Sequence, residues 1–308
     1  MLAKMINLLH KSLFIELNSS AESSVFVAGC ARSGTTWLSQ IINFQNRYRY
    51  IFEPFHPHRC NQFQHYPENY YLHPSQDNNY THQVTRILRG KIRSASWADK
   101  FNHKLIVERR LIKSIRANLF LYWIRANYPS IPIVFILRHP CAVANSKLKL
   151  PKSWRLNPKI SQLVKQEKLS KVWLNQWSEI INQCSSEFEQ QILQWCILNY
   201  IPLKQFTAKD LCLVFYENLI LNPEKELGKI SKYLNLNLAS ISTQTLKKPS
   251  ATTNKKNPYK KTAVFQWRQE LTHSQQERAK DIMSSFGMDQ LYNQALPLEK
   301  KFYRFMAI

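Results

Sequence analysis

The chain has 308 residues, 43 of them Lys or Arg and 20 Asp or Glu, for a formal charge of +23. A hydrophobic content of 44% with 12% aromatics suits one globular domain with a sizeable core and excludes a disordered polyelectrolyte. No run of about 18 apolar residues occurs, so no membrane-spanning helix is expected, and the six scattered cysteines lack the spacing of a disulfide framework or a metal site.

Residues 1–20 read as an N-terminal helix or extension. Met1 to Leu17 is apolar but interrupted by Lys4, His10, Lys11 and Glu16, without a signal-peptide core, which suits a short amphipathic helix able to touch a membrane surface. Val25–Ala28 is the first strand-like run, and Thr35 to Asn46 the first helix-like one. Tyr50–Phe52, Leu105–Glu108, Ile133–Leu137 and Cys212–Phe215 continue the strands. Helical stretches lie between them: Asn118 to Asn127, Lys159 to Phe206 with a break near Cys184-Ser-Ser186, Pro223 to Leu234, and Ser274 to Phe286 with Ser274 as cap and Gly287 as stop. Ser240 to Lys261 is polar and basic, the composition of a surface loop. The alternation predicts an α/β fold, a mostly parallel central sheet flanked by helices on both faces, in a single domain over 1–308. Residues 151–206 form a helical insertion expected near the acceptor site.

Gly29-Cys-Ala-Arg-Ser-Gly-Thr-Thr36 joins the first strand to the first helix and holds two of the chain's five glycines. A strand, a Gly-rich loop and a helix N-terminus together form a phosphate cradle of backbone N–H groups. In a nucleotide P-loop, G-x-x-x-x-G-K-[ST], a lysine would stand where this chain has Thr35. That speaks against ATP or GTP hydrolysis, and Arg32 can supply the positive charge instead. A second strand–loop–helix follows Ile133–Leu137: Arg138-His-Pro-Cys-Ala-Val-Ala-Asn-Ser146. Pro140 suits a first helical turn, which puts Ser146 about two turns in, on the side Arg138 can face. A guanidinium and a hydroxyl so placed can hold a phosphate.

Ala31-Arg-Ser-Gly-Thr-Thr-Trp37 resembles the 5′-phosphosulfate-binding loop of sulfotransferases that use 3′-phosphoadenosine 5′-phosphosulfate (PAPS), and the Arg138 to Ser146 segment resembles their 3′-phosphate-binding element. The resemblance implies a P-loop-like three-layer fold and sulfuryl transfer to a hydroxyl without a metal. Arg32, Ser33, Gly34, Thr35, Thr36 and Trp37 would hold the phosphosulfate, and Arg138 and Ser146 the 3′-phosphate. Phe52-Glu-Pro-Phe-His56 resembles an element of the carbohydrate branch in which the glutamate is the base, so Glu53 is the candidate base at the sheet's C-terminal edge, beside the loop strand, with His56 as competitor. Lys113, after a strand and before a helix, could reach the bridging oxygen, and Arg32 could stabilise the leaving group. Val214-Phe-Tyr-Glu-Asn-Leu219 resembles the family's Tyr-Glu-Asp-Leu strand end, with Asn218 in place of the acid, and Tyr216 could meet the adenine. Lys260 and Lys261, in a segment similar to the late cofactor-covering loop, could reach the 3′-phosphate.

The implied acceptor is a carbohydrate or glycolipid. Free thiols point to the cytoplasm in a bacterial source, whereas a eukaryotic one implies the Golgi. Two alternatives stand beside this reading: a P-loop kinase, and a non-enzymatic protein whose basic surface binds polyanions. No zinc-finger, RNA-recognition or helix-turn-helix signature accompanies the charge, so no nucleic-acid partner is expected.

Overall fold

The structure, a computed structural model, describes residues 12–155, 159–238, 240–252 and 261–307. Its central sheet has five strands: β1 (Ser24–Gly29), β2 (Arg49–Phe52), β3 (Arg110–Ser114), β4 (Ile133–Leu137) and β5 (Cys212–Phe215). All neighbours pair in parallel, in the order β2-β3-β1-β4-β5. Every residue of these strands is buried, as expected of a parallel sheet covered on both faces. Alternation along β1 sends Phe26 and Ala28 into one hydrophobic layer and Val25 and Val27 into the other.

The first of those layers contains α2 (Asn79–Leu88), α3 (Leu121–Asn127), α4 (Pro140–Leu148) and α5 (Glu187–Gln205). The other contains α1 (Thr35–Ile42) and α6 (Pro223–Leu234). Chain order reverses between β1 and β4, which opens a crevice at the carboxyl ends of the strands where ligands of such sheets bind. The α/β, mostly parallel architecture is the one expected.

Several local differences have identifiable causes. Leu105–Glu108 is not a sheet strand: Ile106–Val107 pairs with Ile15–Glu16 in a separate two-stranded sheet, and the central strand is Arg110–Ser114. Hydropathy points away from that strand because it carries two basic residues. Arg110 is buried and held by Glu16 and the carbonyl oxygens of Asn18 and Ser20. β2 pairs with β3, which separates it from the loop strand, although Glu53 does follow its carboxyl end.

The first helix stops at Ile42 because the Asn43 side chain is diverted to the backbone of Tyr48, donating to its oxygen at 3.0 Å and accepting from its nitrogen at 2.9 Å. The helix α2 has a signal that was readable: Asn78 and Thr81 form a capping box before apolar Tyr80, Val84, Ile87 and Leu88. The break at Cys184–Ser186 is present, with Ser186 and Glu189 capping α5, and residues 160–183 form short helical segments instead of one helix. The late helix α7 (His273–Ser284) is capped by Thr272 with Gln275, two residues earlier than Ser274, and Gly287 follows it at φ 63°.

Candidate active site

The crevice is a single cleft of about 1610 Å³. Ala31, Arg32, Gly34, Thr35, Thr36 and Trp37 line it from the loop and α1; Arg138 and Ser146 line it from β4's end and α4; and Glu53, Lys113 and Tyr216 complete the sequence-derived set. Ser33 is buried just behind this wall, and its hydroxyl has no hydrogen-bond partner. Lys261 is exposed at the start of a 3-10 turn and is not among the lining residues, while Lys260 lies outside the described residues.

The loop is built for close approach. Gly34 caps α1 at φ 94°, where an added Cβ would lie 2.7 Å from Cδ2 of Tyr216, so glycine is required on both conformational and steric grounds. Arg32 itself has φ 68°, an uncommon region for a non-glycine residue. Its Nε donates to Ser146 Oγ at 2.9 Å, and Arg138 Nη1 donates to the Arg32 carbonyl at 3.0 Å. The two guanidiniums are therefore neighbours. Burial, and then the charge of Arg138, hold the Arg32 group below its ordinary value. Neither arginine forms an ion pair among the described residues, and the buried Nε of Arg138 has no partner. Tyr216 lies beneath Arg138, with the guanidinium 4.3 Å from the ring centroid, and meets Trp37 edge-on at 5.9 Å. Two clustered cations, an unpartnered hydroxyl and a helix N-terminus make a cradle for a polyanion.

Also in the cleft, after β2, Glu53 has φ 46° and is 2% exposed. Its carboxylate accepts from Lys113 Nζ, from Arg116 Nη1 at 3.1 Å and from the Ile115 backbone N–H at 3.2 Å. Burial pushes this carboxyl up, but Lys113, Arg116 and the Ile115 N–H outweigh it and hold the group below the usual carboxylate value. Lys113 is not beyond a strand, as expected, but inside β3, opposite Val27 on one side and Phe52 on the other. Arg116 also donates to Glu68 at 3.2 Å, and both line the cleft. His56 lines the cleft against Trp97, with ring centroids 5.1 Å apart; burial and then Arg116 push its imidazole down to about 3.

Four participants escaped sequence reasoning. Arg116, Glu68 and Lys147 line the cleft while buried, and Trp97 donates from Nε1 to the Glu53 carbonyl at 3.0 Å. The usable signals were the position of Lys147 directly after Ser146 and that of Arg116 three residues after Lys113. From the loop at 240–261, Lys248, Ser250 and Thr252 form part of the cleft wall.

Among solved structures, the chain is similar to the sulfotransferase domain from the curacin biosynthetic pathway, at 15% identity and TM-score 0.46 over 89% of this chain and 98% of that one. It is also similar to the sulfotransferase domain of the Synechococcus PCC 7002 olefin synthase, at 15% identity and TM-score 0.45 over 88% and 95%. Mouse sulfotransferase SULT7A1 complexed with PAP matches at 14% identity and TM-score 0.39 over 92% and 88%. No protein of curated function matches the sequence. The model of the sulfotransferase family, however, matches residues 24–240, which span β1 to the end of α6 and include the loop, Glu53, Lys113, Arg138, Ser146 and Tyr216. On that match the chain belongs to the sulfotransferase family.

Proposed function

We propose that this sulfotransferase takes its sulfuryl group from PAPS and passes it to a saccharide hydroxyl, free or lipid-linked, with Glu53 as base. The observation that carries the donor assignment is the pair of guanidiniums without an ion pair among the described residues, Arg32 on the Gly-rich loop and Arg138 at the end of β4, with Ser146 bound by Arg32 and the buried Ser33 hydroxyl unpartnered. Such a set fits a ligand with several phosphate-like groups. Arg32, Ser33, Gly34, Thr35 and Thr36, with Trp37, would hold the phosphosulfate. Arg138 and Ser146 would hold the 3′-phosphate, and Tyr216 the adenine face.

PAPS supplies the sulfuryl group and leaves as adenosine 3′,5′-bisphosphate. The acceptor oxygen bonds to sulfur as the bond from sulfur to the bridging oxygen breaks; that bond's electron pair stays with the phosphate, and the hydroxyl proton goes to Glu53. A carboxylate held below its usual value suffices because the hydroxyl becomes strongly acidic only as it bonds to sulfur. Lys113 touches this carboxylate and can shift its ammonium toward the developing charge on the leaving oxygen, which also frees Glu53 to accept the proton. Glu53 is preferred over His56 because the carboxylate is oriented in the cleft by three donors, whereas His56 Nδ1 already accepts from the His58 backbone N–H at 3.2 Å.

For the acceptor, His56, His58, Arg59 and Asn69 line the cleft with Trp97, whose ring is covered by the Arg59 guanidinium at 5.2 Å and the Lys100 ammonium at 4.0 Å; these polar groups suit hydroxyl recognition. All six cysteines are free and buried, which favours a reducing compartment. Among the described residues no helix is long and apolar enough to cross a membrane. Calorimetric titration with adenosine 3′,5′-bisphosphate should give binding that requires the 3′-phosphate, with ADP much weaker. Binding of ATP–Mg²⁺ alone would make the protein a kinase, and no binding by either would overturn the donor assignment.

A further inference from the structure

Lys147 follows Ser146 on α4 and is only 3% exposed, yet it lines the cleft. Its ammonium donates to Gln194 Oε1 on α5 and forms no ion pair among the described residues. A buried cation balanced only by an amide oxygen is costly, and such a group is kept where a ligand anion completes it. The surroundings locate that anion. Lys147 lies within electrostatic reach of Cys30, the second residue of the loop, and of Glu68, which Arg116 ties to Glu53. Lys147, Gln194 and Glu68 line the same cleft as Arg32 and Glu53, so an anion held in that cleft can reach the ammonium. Glu68 cannot neutralise it fully because that carboxylate is already bound by Arg116. Burial holds the Lys147 ammonium down at about 8, with the Glu68 carboxylate pulling the other way, so an incoming anion would also hold its proton in place.

We infer that Lys147 is a sulfonate-binding residue, the cation that meets the transferred group itself, in addition to Arg32 and Lys113. The inference rests on PAPS being the donor, and the two can fail separately because adenosine 3′,5′-bisphosphate is PAPS without its sulfonate.

The decisive measurement is the affinity of both nucleotides for wild type and K147Q. Gln keeps a hydrogen-bonding group of similar length but no charge. PAPS affinity should fall roughly 10- to 100-fold, the range expected for one lost charge-assisted contact, while bisphosphate affinity stays within about twofold. K147R should recover part of the preference for PAPS. An unchanged ratio of the two affinities in K147Q, or an equal loss of both, would overturn the assignment. Failure of wild type to bind the bisphosphate would instead refute the donor.

Should K147Q not fold, wild type alone decides. Near pH 8, PAPS should bind with more proton uptake than the bisphosphate, measured by calorimetry in buffers of different ionisation enthalpy. The groups around the ammonium are Cys30, Glu68, Gln194 and Ser146, and burial pushes the Cys30 thiol up to about 12, so it stays protonated through the titration. Equal proton uptake for the two nucleotides would sink the proposal.

Discussion

Glu53→Gln tests the proposed chemical role of this carboxylate separately from its place in the fold. Glu53 is 2% exposed and forms ion pairs with Lys113 and with Arg116, the latter at 3.1 Å. Removing one partner of a buried pair typically costs about 3–5 kcal/mol, because the remaining charges lose their counter-ion without regaining water. Gln retains an oxygen for Lys113 Nζ or the Ile115 N–H but turns an amide N–H₂ toward a donor, so the lower half of that range, about 3 kcal/mol, is expected. Turnover should fall roughly 10²- to 10⁴-fold, the usual contribution of a positioned base. The bisphosphate Kd should stay within about threefold, since the proposed phosphate cradle is built from Arg32, Arg138 and Ser146, none of which hydrogen-bonds to Glu53. Urea unfolding gives the first quantity, acceptor-dependent release of adenosine 3′,5′-bisphosphate the second, and calorimetry the third. pH supplies an internal control. The folded Glu53 carboxyl lies below its ordinary value, so its stabilisation is present in full above the unfolded carboxylate pKa of about 4.3 and is lost as pH falls through the lower folded value. The stability gap between wild type and E53Q should therefore be constant at neutral pH and shrink below about pH 4. Full turnover with a stability change under about 0.5 kcal/mol would refute both roles.

Arg138→Met should weaken bisphosphate binding roughly 10- to 100-fold through lost charge-assisted bonds, without lowering Tm, because it removes a neighbour of like charge to Arg32 and an unpartnered Nε; unchanged affinity in a calorimetric titration would refute the assignment. Gly34→Ala places a Cβ 2.7 Å from Tyr216 at φ 94°, so thermal unfolding should show a loss of more than about 1 kcal/mol together with weaker bisphosphate binding. Glu16→Gln leaves the buried Arg110 without a carboxylate and Arg49 with Asp99 alone, and denaturant titration should report about 3 kcal/mol or more of destabilisation. Burial pushes the Glu217 carboxyl up to about 7, so its folded form binds the extra proton between about pH 4.3 and 7 and stability falls as pH rises through that window. Glu217→Gln should flatten that slope and be the more stable protein at pH 8, and a slope equal to wild type would show that Glu217 is not its source.

The apolar strands and the phosphate loop were legible because both leave local signatures: an unbroken hydrophobic run such as Ile133–Leu137, or two glycines at fixed spacing ahead of a helix. What stayed hidden were buried charges, whose partners lie far away in sequence. Arg110 opens a fully buried strand because Glu16, 94 residues earlier, meets it, and Glu53 is fixed by Lys113, 60 residues later. No window of local periodicity contains either pairing. The two ends of the sheet then treat their cations differently. At the amino ends of β2 and β3, Arg49 and Arg110 are saturated by Glu16 and Asp99 and by backbone carbonyls, which is what a structural cluster requires. At the carboxyl ends, Lys113 and Arg116 are paired with Glu53 and Glu68, but Arg32, Arg138 and Lys147 reach a hydroxyl, a carbonyl and an amide oxygen and no carboxylate among the described residues. Lys147 is buried, as Arg49 and Arg110 are, whereas Arg32 and Arg138 are only partly so; desolvation alone therefore does not mark a functional site. The difference is counter-charge: the fold supplies a carboxylate to Arg49, Arg110, Lys113 and Arg116, and none among the described residues to Arg32, Arg138 or Lys147. That contrast ties the phosphate cradle to sulfuryl transfer more firmly than the overall charge of +23, which any solvated basic surface could produce.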